Sequence, residues 1–390
     1  MSLKGKKILF VTSSLFDEYN AARDIAYSTA TALLSFGTDQ VIVRYGGHDG
    51  LPTLVEEKCG FKSYFTQRRK LKSILTDKNV SAIQKIKTVF FGALLRVARI
   101  VRLQERLEVL LNARWLKKII KAEKPSLVLF VSHPSKQTAK ILKKIKIPYV
   151  VIHYDTTVED PNVKMTKKRI AEEKYVMDNS EALFVQNCFY KGYRKYYTSD
   201  KLKPYNLPLL VDEEKVLTAY ASKEKNYKFS YFGQLQAFRN GYRVNDIFEE
   251  LGEKLFVFST DKTNFGKAFE WSPAVTGQEL YKTIAGSDYL VALDNSHPYE
   301  HYFPSKTCLY VSFTKPIIIF GESKKTALRE FLAEYDNFYY QDINEPLDGL
   351  RQFLTKKQKG FDKKTYDQYR GYSAEQALKP IIAALEGSIN

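Results

Sequence analysis

The chain has 390 residues, of which 44% are hydrophobic and 27% charged, and its formal net charge is +17. This length predicts two domains of ordinary size, and the composition predicts a soluble globular protein. No run of 18 apolar residues occurs, which argues against a membrane-spanning helix. Three widely spaced cysteines argue against a disulfide framework or a zinc site, and favour a reducing, cytoplasmic compartment.

The first residues predict a βαβ unit. Residues 6–12 are a near-continuous apolar run after a charged start, typical of a buried parallel strand. This apolar run is too short for a signal peptide. A helix is predicted at 21–36, ended by Gly37, and a second strand at 40–44. The unit lacks a G-x-G-x-x-G pattern, so no dinucleotide cofactor is predicted.

Residues 58–124 interrupt this alternation and carry most of the positive charge. They contain 18 Lys or Arg against 4 Asp or Glu, a net +14. Within them, residues 85–106 show a helical period, with apolar residues on one side and four arginines on the other: Arg96, Arg99, Arg102 and Arg106. A basic amphipathic helix is typical of a segment that lies on an anionic bilayer. We therefore predict peripheral binding at the inner face of the cell membrane.

Two alternatives to membrane binding follow from the same basic segment. A surface helix that packs onto its own domain, with its arginines solvated, would show the same pattern. Nucleic acid is not predicted as a partner, because no recognised nucleic-acid motif occurs and the aromatic residues do not alternate with the basic ones.

Polar side chains follow two strands in the next part of the chain. Strands are predicted at 127–131, 147–152 and 180–186, with a helix at 136–146. His133 follows the first strand, and His153 and Asp155 follow the second. Ligands of open α/β sheets bind beyond the carboxyl ends of strands, so these are candidate catalytic residues. Asp155 is the first choice as general base, then His153, then His133. A cap or loop role for Asp155, and a structural hydrogen bond for His153, are the alternatives.

A second α/β unit begins with a predicted strand at 227–232, and its loop contains Arg239. Further on, a strand at 289–293 precedes a polar loop, a helix that Pro304 can begin, and a strand at 317–320. The free N–H groups at a helix start, together with the charge of Lys306, are suited to holding phosphate. This order of elements is a parallel-sheet unit with its ligand end at the loop.

The run Pro304-Ser305-Lys306, followed by Tyr310 and Lys315-Pro316-Ile317-Ile318, resembles the donor-site segment of group 4 and related group 1 glycosyltransferases of the GT-B fold. In that family the segment belongs to the C-terminal domain and holds a nucleotide-sugar. Leu309 stands where the family usually has the second of two glutamates, which holds the donor ribose. The Gly-Gly pair that many members carry in the first loop is also missing from residues 13–21.

The resemblance implies an α/β protein with two Rossmann-like, doubly wound parallel-sheet domains that face a cleft. An acceptor-side domain is expected over residues 1–206, with the basic insertion at about 58–124. A nucleotide-sugar-binding domain is expected over 207–372, and a last helix at 373–390 that packs back on the first domain. Pro208 and Val211-Asp212 resemble the family's interdomain segment, which places the boundary there.

The donor-binding residues that the resemblance implies lie in the second domain, and they are Arg239, Glu300, Pro304, Ser305 and Lys306. Positive groups at such positions stabilise the diphosphate as it departs. No Asp-x-Asp motif occurs, so no essential metal is predicted, and no cofactor beyond a nucleotide-sugar substrate, with a UDP-sugar as the first choice.

The implied activity is hexosyl transfer from a nucleoside diphosphate donor to a membrane- or lipid-linked glycan acceptor, in cell-surface polysaccharide or glycolipid assembly. Two alternatives stay open. Leu309 and the missing Gly-Gly pair suggest a GT-B-like binding or scaffolding subunit without activity, and a nucleotide-sugar epimerase would share the fold.

Overall fold

The fold was analysed in a computed structural model of the chain. It describes all residues except 1–2, 13–28, 31–32, 35, 45–61, 66–103, 132, 154–164, 206–210, 224–226, 236–238, 261, 263–265, 296–299, 301–305, 323–324, 334, 356–359, 371–373 and 389–390. Within the described residues, thirteen strands form two separate sheets. Each sheet with its helices is called a lobe below.

The first lobe is built on a seven-stranded sheet. Its strands are β1 (Lys7–Thr12), β2 (Asp39–Arg44), β3 (Lys62–Phe65), β4 (Leu127–Val131), β5 (Tyr149–His153), β6 (Ala182–Gln186) and β7 (Leu202–Tyr205). The spatial order is β3-β2-β1-β4-β5-β6-β7, and every neighbouring pair is parallel. Its described helices before the second lobe are α1 (Gln104–Glu123), α2 (Lys136–Ile145), α3 (Lys167–Asn179) and α4 (Asn187–Tyr196).

Both faces of this sheet are covered, which explains its unbroken apolar strands. In β1, Leu9 and Val11 belong to the hydrophobic core on one face, while Ile8 and Phe10 belong to the core on the other. Because successive side chains of a strand point to opposite faces, a strand buried on both sides needs apolar residues at every position.

The second lobe is built on a six-stranded sheet. Its strands are β8 (Tyr227–Phe232), β9 (Leu255–Ser259), β10 (Phe269–Pro273), β11 (Ser287–Leu293), β12 (Ile317–Gly321) and β13 (Phe338–Asp342). The order is β10-β9-β8-β11-β12-β13, again parallel throughout. The helices are α5 (Glu213–Ala221), α6 (Gly241–Leu251), α7 (Gly277–Ala285), α8 (Lys306–Ser312), α9 (Ala327–Phe331), α10 (Asp348–Leu354) and α11 (Lys363–Arg370).

The two sheets share one winding order. In each, the chain runs outward from the first strand to the third and then returns to add the fourth strand on the other side of the first. The direction of winding therefore reverses between β1 and β4, and again between β8 and β11. In doubly wound sheets the ligand crevice lies at this point, beyond the carboxyl ends of the strands. The predicted fold class, two doubly wound parallel-sheet domains, is confirmed.

Contacts at three places connect the two lobes or hold the segment that links them. The last helix, α12 (Ala374–Ser388), returns to the first lobe, where Ile381 and Leu385 are buried in the core that also contains Ile8. Lys191 Nζ on α4 donates to the Glu330 carboxylate on α9, at 2.7 and 3.0 Å. Between the lobes, the Val211 N–H donates to Ser312 Oγ at 3.1 Å, and the Val211 carbonyl accepts from the Tyr366 hydroxyl at 2.9 Å.

Several elements differ from the sequence prediction. The segment 58–124 was expected to break the α/β alternation, yet its two described ends form β3 and α1, which continue it. β10, at one edge of the second sheet, was not predicted from the sequence either. β3 and β10 are short strands at the two sheet edges and carry polar residues, so they lack the apolar run of a central strand.

The predicted membrane-binding helix lies mostly outside the described residues. Arg96, Arg99 and Arg102 are not described, and of Arg106, near the start of α1, only the backbone is described. Among the helices that are described, none is both long enough and apolar enough to cross a membrane. The predicted domain boundary at 206/207 also falls among residues that are not described.

Candidate functional site

Lys306 lies at the ligand end of the second sheet. It is the first residue of α8, and its side chain reaches the chain just after β8. A Cβ atom at Gly233 would lie 2.3 Å from Lys306 Nζ and 3.4 Å from Cε, so the ammonium lies directly on the Gly233 backbone. Gly233 has φ +135°, a conformation that residues with side chains rarely adopt. Glycine at this position therefore permits both the turn and the close approach of the lysine.

Arg239 lies in the same crevice, at the reversal point between β8 and β11. Its Nε donates to Asn295 Oδ1 at 3.1 Å, and one of its terminal nitrogens lies 3.5 Å from the Tyr231 hydroxyl. Asn295 is fully buried two residues beyond β11, and Tyr231 belongs to β8. The guanidinium is thus held from both strands that flank the reversal point.

The two cations influence each other. Lys306 as a whole residue is exposed, so the crevice is open to water, but protein atoms crowd its ammonium. This burial disfavours the charged form and lowers the pKa of Lys306 to about 8, and the charge of Arg239 acts in the same direction. Like charges that influence each other in this way repel, and an anion bound to both would relieve the repulsion.

Asp294 holds Asn295, the residue that accepts the hydrogen bond from Arg239. It is buried directly after β11; its Oδ1 accepts from the Asn295 N–H at 2.9 Å, and its Oδ2 accepts from the Thr326 hydroxyl. Burial raises the pKa of Asp294 to about 6, although these hydrogen bonds and the charges of Arg239 and Arg329 oppose the rise. The carboxyl group therefore fixes the residue that positions Arg239.

The structure describes only part of the predicted donor segment. Pro304 and Ser305 lie outside the described residues. Glu300 is half-buried, and its carbonyl accepts from the Ala327 N–H at 2.9 Å, which ties this loop to the start of α9. The Tyr310 hydroxyl accepts from the Phe232 N–H at 3.3 Å, and Leu309 packs partly buried against the hydrophobic core. Of the predicted donor-binding side chains, the structure brings Lys306 and Arg239 together.

Two of the three predicted catalytic side chains meet in the first lobe. His133 follows β4 and is exposed, whereas His153 ends β5 and is only 2% exposed. Because β4 and β5 are parallel neighbours, their carboxyl ends lie side by side. The two imidazole centroids are 3.8 Å apart, with their planes tilted by 49°. Asp155 lies outside the described residues.

His153 is held by side chains that the sequence did not single out. Its Nδ1 lies 3.1 Å from the Tyr193 hydroxyl and 3.5 Å from Glu173 Oε1. Glu173, on α3, also accepts hydrogen bonds from the Tyr197 hydroxyl at 2.6 Å and from the Tyr193 hydroxyl at 3.2 Å. Burial, and to a smaller extent His133, hold the pKa of His153 well below its usual range, so the ring is neutral near pH 7.

This geometry changes the order of the two histidines as candidate bases. The sequence placed His153 ahead of His133, but His153 is buried among its partners, so His133 is the one that reaches solvent. Of the residues that the sequence missed, Asp294 and Asn295 follow β11 directly, and the strand-end rule that selected His133 would have found them. Nothing in the local sequence marks Glu173, which is one of several charged residues on α3.

Comparison with known proteins gives matches among solved structures alone. No protein-family model and no curated protein matches the chain. The apo form of the lipopolysaccharide outer core galactosyltransferase WaaB matches with a TM-score of 0.59 and 14% identity, covering 98% of this chain and 99% of that one. A glycosyltransferase from Rickettsia africae matches with a TM-score of 0.56 and 11% identity, covering 99% and 94%.

An epimerase shares the fold as well. The UDP-GlcNAc 2-epimerase from Neisseria meningitidis, bound to UDP-GlcNAc, matches with a TM-score of 0.55 and 10% identity, covering 98% of this chain and all of that one. At such identities the similarity concerns the fold alone. It confirms the predicted resemblance at that level: the chain has the two-lobed GT-B architecture of these proteins.

Proposed function

We propose that this chain is a glycosyltransferase that takes a nucleoside diphosphate sugar as its donor. The observation that carries the proposal is the meeting of Lys306 and Arg239 at the reversal point of the second sheet. A diphosphate gains charge as it leaves the sugar, and fixed cations that face it stabilise the transition state. Arginine and lysine both bind phosphate oxygens through charge-assisted hydrogen bonds.

In this proposal the other donor contacts come from the predicted segment. The Ser305 backbone, next to Pro304, binds phosphate oxygens, and Glu300 binds sugar hydroxyls. The cationic side chains act where other enzymes use a metal ion, so transfer needs no metal at the diphosphate and no cofactor. A UDP-sugar is the first choice, and solved structures that match this chain include proteins bound to UDP-GlcNAc or UDP.

The acceptor is proposed to lie against the first lobe, beyond β4 and β5, where closure of the two lobes excludes water. Asp155, two residues past β5, is the proposed proton acceptor. His133, which is exposed, is the next candidate. His153 would first have to leave its contacts with Tyr193 and Glu173.

A nucleotide-binding experiment tests the donor site. The folded chain is heated with UDP, GDP and their sugar conjugates, and a ligand at a hundred times its dissociation constant should stabilise it by about 2.7 kcal/mol. Lys306→Ala should remove the shift. Lys254→Ala, just before the amino end of β9 and so at the opposite end of the strands of the same sheet, should keep it. An undiminished shift in Lys306→Ala would refute the donor site, and no shift with any nucleotide would favour the inactive binding subunit.

The acceptor is proposed to be a lipid-linked or membrane-bound glycan of cell-surface polysaccharide or glycolipid assembly, reached from the cytoplasmic face. The net +14 of residues 58–124 supports this, since each basic residue near an anionic surface contributes about 1 kcal/mol. Replacing three predicted membrane-binding arginines by glutamate should abolish flotation with anionic vesicles: Arg96, Arg99 and Arg102. The matched control replaces three exposed lysines of α2: Lys140, Lys143 and Lys144. If both variants lost vesicle binding equally, the binding would depend on overall charge and not on the predicted helix.

A second candidate function is sugar-nucleotide epimerisation, because several of the matching solved structures are UDP-GlcNAc 2-epimerases. Proton NMR of UDP-GlcNAc incubated with the protein and without acceptor separates the two. An epimerase produces the C2 epimer with the UDP linkage intact. A transferase leaves the donor unchanged or slowly releases UDP and free sugar.

A further inference from the structure

Three side chains capable of binding a metal converge at the carboxyl ends of β4 and β5. His133, His153 and Glu173 can each present one nitrogen or oxygen atom within 4.8 Å of the other two. They come from the loop after β4, the last position of β5 and the middle of α3, so the fold and not a local motif brings them together.

We propose that these three residues bind one divalent transition-metal ion, zinc by its ligand set, with a fourth position open to solvent. Zinc takes imidazole nitrogens and carboxylate oxygens at about 2.0–2.2 Å, and three protein ligands with one open position are typical of its reactive sites. Such bond lengths place neighbouring ligand atoms of a tetrahedron roughly 3.3 Å apart. His153 Nδ1 and Glu173 Oε1 are already 3.5 Å apart.

The third ligand can complete this geometry with a small movement. His133 is exposed, and its ring already contacts the His153 ring, so a rotation of its side chain brings a nitrogen towards the same point. The exposed side of His133 also gives the ion an access route from solvent. The two other ligands are largely buried and are positioned by the sheet and by α3.

The surroundings of Glu173 resemble the outer shell of a metal site. Its Oε2 accepts from the Tyr197 hydroxyl at 2.6 Å, and its Oε1 accepts from the Tyr193 hydroxyl at 3.2 Å. Hydrogen bonds of this kind fix the orientation of a ligating carboxylate and are part of the affinity of metal sites. Tyr193 lies on α4 and Tyr197 directly follows its last residue, so α3, the end of α4 and the sheet hold the ligand in place.

This site is separate from the proposed donor site. Its ligands belong to the first lobe, whereas Lys306 and Arg239 belong to the second, so the two sites share no residue. The cysteine spacing argues only against a thiolate zinc site, and these ligands are imidazoles and a carboxylate. An ion here uses a lone pair of each histidine, so His153 Nδ1 exchanges its hydrogen bond with the Tyr193 hydroxyl for the ion, and the Tyr193 hydroxyl keeps its hydrogen bond to Glu173. Asp155 then remains the proposed proton acceptor.

Metal titration of the full chain tests the proposal. Untagged protein is dialysed against a chelator and titrated with zinc chloride by calorimetry, and with cobalt chloride by visible absorption. We expect one ion per chain and the strong absorption of four-coordinate cobalt. His133→Ala and Glu173→Gln should each weaken binding at least about tenfold. Glu172→Gln, the neighbouring carboxylate on the same helix, should bind as the natural chain does.

Three results would overturn the proposal. The first is no zinc binding, and the second is zinc binding at one ion per chain without the absorption of four-coordinate cobalt. The third is that His133→Ala and Glu173→Gln bind zinc as tightly as Glu172→Gln. His133 is exposed, so His133→Ala is expected to fold, and a circular dichroism melt without metal checks this. The UDP-induced thermal shift, measured in chelator, should persist. Its loss in the natural chain would bear on the donor site and not on the zinc ligands.

Discussion

The contact between Gly233 and Lys306 gives the sharpest test of the proposed donor site. In Gly233→Ala the new Cβ would lie 2.3 Å from Lys306 Nζ, whereas ordinary contact begins at about 3.5 Å. The ammonium must therefore move by roughly 1 Å or leave the crevice. The alanine must also adopt φ +135° or shift the backbone, at a cost of about 1–3 kcal/mol in the free energy of unfolding.

The size of the effect on nucleotide affinity follows from the bond that is lost. A hydrogen bond between a charged amine and a phosphate contributes about 1.5–3 kcal/mol. Its complete loss weakens UDP binding roughly 10- to 150-fold, since each factor of ten in the dissociation constant corresponds to about 1.4 kcal/mol. Lys306→Ala should show the whole loss. Gly233→Ala should lose a large part of this UDP affinity, but no more than Lys306→Ala loses.

A double-mutant cycle measured by calorimetry with UDP separates this mechanism from general damage to the fold. If alanine at 233 acts by displacing Lys306, adding Gly233→Ala to Lys306→Ala should cost no further affinity. Gly252→Ala is the matched control, because Gly252 also has positive φ, +69°, but no atom lies within 4 Å of its added Cβ. It should lower stability and leave the dissociation constant unchanged. Losses that add in the double variant would refute the reasoning.

Three further predictions concern charge. UDP affinity should fall as pH rises from 7 to 9, because the Lys306 ammonium, with a pKa of about 8, loses its proton, and Lys306→Arg should flatten the profile. The pKa of Asp294 is about 6 in the folded chain and 3.8 ordinarily, so between pH 3.8 and 6 the folded chain binds more protons than the unfolded chain. The free energy of unfolding, measured by urea titration, should therefore fall by ~3 kcal/mol as the pH rises from 3.8 to 6. Asp294→Asn should remove this slope, and the exposed Asp288→Asn should not. Breaking the exposed Lys191–Glu330 ion pair with Lys191→Ala should cost at most about 1 kcal/mol in a urea titration.

The sequence predicts most of the interior strands, but it misses the edge strands β3, β7 and β10 and also β9, inside the second sheet. β1, β4, β11 and β12 are buried on both faces, so each shows an apolar run that only a central parallel strand requires. β10 has the sequence Phe-Glu-Trp-Ser-Pro and is half exposed at a sheet edge. Its residues can form a strand, but they lack the apolar run from which a strand would be predicted. Edge strands need partners on one side only, and their composition is correspondingly mixed.

The two halves of the candidate site differ in how far the sequence could predict them. The donor crevice depends on residues next to strand ends, and the resemblance together with the strand-end rule leads to Lys306 and Arg239. The first-lobe cluster depends on a half-buried glutamate in mid-helix and on two tyrosines at the end of another helix, one inside it and one just after it. Glu173 lies 20 residues from Tyr193 and 24 from Tyr197, and His153 lies 40 from Tyr193. No periodicity connects such positions, and the winding of the chain alone places them together.

The Leu309 departure has a structural basis that bears on donor recognition. Leu309 packs partly buried against the hydrophobic core, while its neighbours Cys308 and Tyr310 are buried and Lys306 is exposed at the crevice. α8 therefore presents its cation to the ligand end and an apolar side chain where the resembling family has a ribose-binding glutamate. In this chain the diphosphate contacts and the ribose contacts need not come from one helix. Under the proposed function, diphosphate affinity and nucleoside selectivity are then separable properties: substitutions of Lys306 and Arg239 should change the first, and substitutions of residues outside α8 should change the second.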